Sequence, residues 1–334
     1  MNKKTAQTIL ITGAAGFIGS HLADKLLKDG HQVIGLDNLS NGSLENLKLA
    51  LTFESFSFVE ASILDKEKLF EVLKTVKVVY HLACLGVRHS LHSPFENHRV
   101  NAEGSLNVLE ASKLAGVKKF FYISTSEIYG RAESFPIKET DPTYPLTVYG
   151  SSKLAGEHYT NSFHECFGLE TTVLRIFNNY GPRAHYEGDC GEVIPRSIVR
   201  AFYGQNPVIF GDGSVTRDFF FVKDTARILS DLLTEDGITG KTFNLGTGNE
   251  ITIKKLLSDL VSSLKLNNIT IDYMPDRPAD VPRLWVDNSK IKQVVSLEGL
   301  KPFQEGLNET IEFYKNLKEE KNLLEEMELI NWNK

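Results

Sequence analysis

Tyr149 and Lys153 stand four residues apart in the segment Y-G-S-S-K. On a helix that spacing puts both side chains on one face. A free tyrosine, with a pKa near ~10, is a poor base at neutral pH. A neighbouring ammonium and a positively charged nicotinamide would each stabilise the phenolate and lower that value. The pair therefore suits removal of a proton from an alcohol as it is oxidised. A tyrosine and a lysine sharing a helical turn are common, so the reading leans on a second segment. ISTSEIYG, residues 123–130, offers Ser124, Thr125, Ser126 and Glu127 from the end of an apolar strand. The C-terminal edge of an open α/β sheet is where such folds bind ligands.

A nicotinamide needs a dinucleotide site, and the N-terminal stretch TILITGAAGFIGSHLADKLL has the pattern of one. Residues 8–12 are apolar and β-branched, as a strand covered on both faces should be. Gly13, Gly16 and Gly19 follow in T-G-x-x-G-x-x-G spacing, and Phe17, Ile18, Leu22, Leu26 and Leu27 then recur at helical intervals. The glycines allow a tight turn and close approach of backbone to a pyrophosphate, while the helix directs its first amides at the phosphates. A second strand, HQVIGLD, ends at Asp37. A carboxylate there accepts hydrogen bonds from the adenosine ribose and repels a 2′-phosphate, which favours NAD over NADP.

The elements that must carry these residues alternate along the chain. SFVEASI, VKVVYHLA, KKFFYIST and TTVLRIFN are short β-branched or aromatic runs, and DKEKLFEVLK and NVLEASKLAG between them are helical. That alternation predicts an α/β fold, a Rossmann-type doubly wound parallel sheet. From about Tyr180 loops rich in Gly, Pro and charge interrupt shorter helices. The expected division is a dinucleotide-binding domain over residues 1–180, to which the chain returns at about 216–247. A smaller C-terminal α/β lobe over 181–215 and 248–334 would bind substrate. The tail from Lys315 is charged and helical in pattern and carries no functional signal.

The 334 residues can bury a sizeable core, and the net charge of −6, with no basic run, argues against nucleic acid as a partner. No apolar stretch approaches the ~20 residues of a membrane span, and the MNKKTAQ start leads into a strand rather than a signal-peptide core. Cys84, Cys166 and Cys190 are odd in number and far apart, without metal-ligand spacing. A reduced, cytoplasmic enzyme without a metal is the expectation.

TGAAGFIGS, HLAC, the asparagine of VNAEG, ISTSEIYG, YGSSK, LRIFNNYGPR, FGDGSVTRDFFFVKD, FNLGTG and DRPADVPR together resemble the extended short-chain dehydrogenase/reductases. More narrowly they resemble the nucleotide-sugar epimerases, dehydratases and decarboxylases, nearest the nucleotide-hexose 4,6-dehydratases. The resemblance runs through nearly the whole chain. It implies a tightly held NAD that oxidises a sugar transiently at C4, a nucleotide diphosphate held in the smaller lobe, and a homodimer. Thr125 would then hold the sugar 4-hydroxyl, with Ser126 and Glu127 beside it. Tyr149 would take the proton, and Lys153 would also grip the nicotinamide ribose. NAD would further touch Phe17, Ile18, Asn38, Ser62, Ile63, Leu82, Ala83, Cys84, Asn101, Ser124 and Phe177. Arg88, Asn178, Val193 and Arg196 would meet the sugar nucleotide, Arg217 its pyrophosphate, and Arg277 with Asp280 the nucleoside ribose. One departure is ASILD where relatives carry G-D-I-R-D, so that Ser62 replaces an aspartate expected to contact adenine.

All these enzymes begin with a 4-ketose, and Glu127 bears on the step taken from that ketone. Epimerases usually carry small residues at that position. A glutamate resembles both the 4,6-dehydratases, where it would be the base at C5, and the UDP-glucuronate decarboxylases. LGVRHSLHSPFENHRVN and TVYGSSK lack the decarboxylase surroundings, which places the dehydratase first, the decarboxylase second and the 4-epimerase third. The remote alternative is a non-catalytic NAD-binding relative. Overall similarity leans to a UDP-N-acetylhexosamine such as UDP-N-acetylglucosamine. Cys84 is read as a small packing group and Cys190 as a spectator near the sugar.

Overall fold

The computed structural model describes residues 6–277 and 280–330. Seven strands form one parallel sheet: β1 (Thr8–Thr12), β2 (Gln32–Asp37), β3 (Phe56–Glu60), β4 (Val78–His81), β5 (Lys119–Thr125), β6 (Glu170–Ile176) and β7 (Lys241–Leu245). Their spatial order is β7-β6-β5-β4-β1-β2-β3, so the winding direction reverses between β1 and β4. A crevice must open at the carboxyl ends of those two strands.

The sheet is covered on both faces, as its unbroken apolar strands require. Ile9 and Ile11 of β1 point into one core with Leu22 and Leu26 of α1 (Phe17–Lys28). Leu10 points into the other, with Leu69 of α2 (Lys66–Leu73) and Val108 and Leu109 of α3 (Ser105–Ala115). α2 begins where the Asp65 carboxylate accepts from Lys68 N at 3.0 Å. The 20-residue α4 (Val148–Phe167) starts at Thr147, whose hydroxyl accepts from Gly150 N at 3.1 Å, and stops at Gly168 with φ of 69°. That left-handed stop suits glycine. α3 is the end of a longer helical run from Pro94 that passes through a π-turn at Arg99–Gly104.

The remaining helices are α5 (Val193–Phe202), α6 (Val222–Leu232), α7 (Ile253–Leu264) and α8 (Phe303–Glu320). α6 packs with α1 against the sheet through Ile228 and Leu229. The other three surround a separate core that includes Ile194, Ile198, Leu256, Leu260, Leu307 and Tyr314. A three-stranded sheet of Ile251–Thr252, Thr216–Arg217 and Arg283–Leu284 joins this lobe. The tail beyond α8 folds back onto it: Leu323 is buried and its amide donates to the Tyr203 hydroxyl at 3.0 Å. Among the described residues no helix is long and apolar enough to cross a membrane.

Candidate active site

The glycine turn is dictated by contact. Gly13 has φ of 73°, and a Cβ there would lie 2.8 Å from Ala83 N; a Cβ at Gly19 would collide with the Gly13 carbonyl. α1 starts at Phe17 behind Gly16 with no side-chain cap, so its first amides are left for a ligand. Asp37 ends β2 at the rim of this turn. Its carboxylate accepts from Ala15 N at 2.9 Å and Leu39 N at 2.8 Å, while burial raises its pKa against those bonds. Gly13, Gly16, Phe17, Ile18, Gly19, Asp37, Asn38, Ser62, Ile63, Leu82, Ala83 and Cys84 all line one cavity of about 490 Å³. The Ser62 hydroxyl accepts from Leu64 N at 3.1 Å and so shapes its own turn.

Asn101 does not line this cavity. It is buried in the π-turn, where its side-chain oxygen accepts from Leu85 N at 2.8 Å and its amide donates to Leu85 O at 2.9 Å. It fixes the chain leaving β4 at Leu85, which itself lines the cavity. A second support went unread in the sequence. His81 joins Thr12 Oγ1 at 2.7 Å to Ser105 Oγ at 2.9 Å, tying the ends of β1 and β4 to α3. Burial lowers the His81 pKa to about 3, with Lys153 adding to the effect, so the ring is neutral. The HLAC segment was the available signal, but nothing in it names the partners of the histidine.

Deeper in the cavity, β5 and α4 bring the proton-transfer residues together. Ser124, Thr125, Ser126, Glu127, Tyr149, Lys153, Phe177 and Asn178 all line it. Lys153 Nζ donates to Ile123 O at 2.6 Å and lies 4.4 Å from the Tyr122 ring centre. Burial holds the Tyr149 phenol well above its ordinary pKa, the nearby Cys84 adds to this, and a hydrogen bond with Thr125 opposes it. Burial likewise raises the Glu127 carboxyl, against the pull of Arg217 and Arg88. Gly150 lets α4 approach the Glu127 turn, since a Cβ there would lie 3.0 Å from Glu127 O.

The lobe closes the far side. Arg88, Val193, Arg217, Arg277 and Asp280 line the cavity, with Cys190 and Glu192 beside them. Arg217 Nη2 donates to Asp280 Oδ1 at 2.6 Å and its Nη1 to Val281 O at 2.7 Å. Arg277 lies 4.4 Å above the Phe210 ring, and burial and then Arg88 lower its pKa to about 9. Crowded guanidinium groups in a partly dry pocket favour an anion between them. Arg196 is outside the cavity. Its guanidinium donates to the carbonyls of Glu328 and Leu329, so it anchors the C-terminal tail, a partner too distant in sequence to be foreseen. Another unforeseen clasp joins the cavity walls, with His92 Nε2 2.7 Å from Asp189 Oδ2.

The residues present fit a dinucleotide. The turn admits backbone approach only because Gly13 and Gly19 lack Cβ atoms, and Ser124, which lines the cavity, has a buried hydroxyl without a hydrogen-bond partner. Fold and site together define a Rossmann-type short-chain dehydrogenase/reductase with a Tyr–Lys centre. The GDP-mannose 4,6-dehydratase family model matches residues 10–310, and the chain belongs to that family of nucleotide-sugar enzymes. It is 36% identical over 313 residues to a UDP-glucose 4-epimerase of Mycolicibacterium smegmatis, covering 92% of this chain and 98% of the relative. The UDP-glucuronic acid 4-epimerase of Bacillus cereus, solved with UDP-glucuronic acid and NAD, superposes with a TM-score of 0.87 at 32% identity, over 93% of this chain and 99% of that one. The dTDP-glucose 4,6-dehydratase of Streptomyces venezuelae, also solved with NAD, gives 0.88 at 28% identity, over 93% and 98%. This chain is thus similar to enzymes that modify nucleotide sugars by more than one reaction.

Proposed function

We propose that the protein is an NAD-dependent nucleotide-sugar 4,6-dehydratase. The observation that carries this reading is Glu127, a carboxyl group lining the cavity with Thr125 and Tyr149, its pKa lifted by burial. A raised carboxyl pKa brings a base closer to the operating pH, where general catalysis is most efficient. Asp37 at the end of β2 supports NAD over NADP.

Thr125 holds the sugar 4-hydroxyl and Tyr149 accepts its proton. NAD bound in the cradle supplies the acceptor for the C4 hydride and later its donor to C6. Glu127 then takes the C5 proton, which the 4-ketone has made acidic. The electron pair left at C5 forms the C5–C6 double bond as the C6 hydroxyl departs, leaving as water with the proton that Glu127 took; hydride return to C6 and a proton from solvent at C5 complete the 4-keto-6-deoxy sugar. Arg88, Arg217 and Arg277, all lining the cavity, suit the diphosphate. A UDP-N-acetylhexosamine remains the favoured substrate on overall similarity.

A second reading is 4-epimerisation, favoured by the names of relatives such as the mycobacterial enzyme. The two separate on Glu127→Gln. If Glu127 is the C5 base, the variant retains NAD but loses C5 exchange with heavy water and dehydration, by about 10²–10⁴-fold. Dehydration at the normal rate would end the reading. The protein is also proposed to be a homodimer. Phe95 is 90% exposed, and Leu106, on the same helical run, is exposed too.

A further inference from the structure

Four side chains beneath the cavity, none of them lining it, connect its two proton-transfer groups. Glu157 follows Tyr149 and Lys153 at the same four-residue interval on α4. Arg175, on β6, donates from Nε to both Glu157 carboxylate oxygens at 3.1 Å and from Nη2 to Oε2 at 2.8 Å. Its remaining nitrogen, Nη1, donates to the Tyr129 hydroxyl at 2.8 Å and to Glu139 O at 3.1 Å. The Tyr129 hydroxyl in turn donates to Asn244 Oδ1 on β7 at 2.6 Å. Tyr129 ends the short 3₁₀ turn Ser126–Tyr129 that carries Glu127. Asn244 Nδ2 then donates to Ile137 O at 3.0 Å.

Each of these groups is buried, with Tyr129 and Asn244 at 0% exposure and Glu157 at 2%. Stability alone is a weak reason for such an arrangement, because desolvating two charges offsets most of what their attraction returns. What the network does fix is geometry. The helix bearing Tyr149 and the turn bearing Glu127 are both fastened to Arg175. The guanidinium is planar and donates along fixed directions, so it sets the two attachments relative to each other.

We propose that Arg175, Glu157, Tyr129 and Asn244 form a positioning brace that holds Glu127 in register with Tyr149, so that its effect on the reaction passes through Glu127. The inference rests on the reading of Glu127 as a working base. Tyr129 is the point at which to cut the brace, since phenylalanine keeps the ring packing and removes only the hydroxyl. Asn244→Ser removes the acceptor of the same hydroxyl from another strand. It serves if Tyr129→Phe does not fold.

The test is a double-mutant cycle on turnover, with UDP-N-acetylglucosamine, dTDP-glucose and GDP-mannose as probes and the protein carrying its NAD. Misplacing a catalytic group by a fraction of an ångström to an ångström costs up to ~10²-fold, so Tyr129→Phe should lower kcat by roughly tenfold or more, with KM within about twofold. Groups acting through one another are not additive, so in the Glu127→Gln background the same change should cost less than about twofold. Asn244→Ser should behave alike. The brace is overturned if the losses multiply in the Glu127→Gln background, as a general loosening of the fold would make them, or if Tyr129→Phe turns over normally. Should Glu127→Gln itself turn over normally, the dehydratase reading falls and the brace with it; the other two outcomes leave that reading standing.

Discussion

Tyr149 is held as a neutral phenol, because burial and then the nearby Cys84 raise its pKa, against a hydrogen bond with Thr125. Lys153 is turned to the Ile123 carbonyl at 2.6 Å. On the proposed reading, a bound positive nicotinamide would stabilise the phenolate and help Tyr149 act as a base. Tyr149→Phe keeps the ring and should lower kcat by about 10²–10⁴-fold with the circular dichroism spectrum unchanged; near-normal turnover would mean that another base exists. If Glu127 is the C5 base, it should set the acid limb of the rate profile, measured as kcat against pH. Its pKa is raised, so the active carboxylate is lost as pH falls through a value above the usual carboxylate range near ~4.3. At this scale the sequence was legible wherever a short motif carried the chemistry. It did not show the partners of Asn101 and Arg196, Leu85 and the carbonyls of Glu328 and Leu329, which are supplied by the fold.

Strands and helices were legible because the parallel sheet demands apolar runs on β1, β4, β5 and β6, while the helices between them keep a 3.6-residue period. The buried Thr12–His81–Ser105 chain and the π-turn at Arg99–Gly104 left no such periodic trace. The histidine has a consequence for the elements it joins. Its pKa is near 3 in the folded protein against an ordinary 6.5, so the unfolded chain binds the proton more tightly. The stability this contributes is present above pH ~6.5 and is lost as pH falls from there toward ~3. His81→Asn loses that titration. Its melting temperature should be lower at neutral pH, but should fall less between pH 7 and 5 than that of the unmodified protein. Parallel curves would show that His81 does not carry the acid sensitivity.

On the scale of the whole molecule, residues of the parallel sheet and of the lobe with the second core line one cavity, with Tyr149, Lys153 and Glu127 among them. The alternation of strands and helices made the sheet readable, whereas the lobe is assembled from loops and short strands whose contacts have no local signature. The proposed homodimer would cover the exposed Phe95 and Leu106, and light scattering should then give twice the monomer mass of 37.4 kDa. A monomer with both side chains in water would contradict the dimer. The chemistry itself is tested most directly by the mass of the product. Incubated with UDP-N-acetylglucosamine, dTDP-glucose and GDP-mannose in heavy water, the NAD-bound protein should release from at least one of them a 4-keto-6-deoxy sugar nucleotide. Apart from the solvent deuterium it carries at C5, that product should be lighter than its substrate by one water. Products that lose no water and have inverted C4 stereochemistry, or turnover confined to UDP-glucuronate with loss of carbon dioxide, would contradict the assignment of Glu127 as the C5 base.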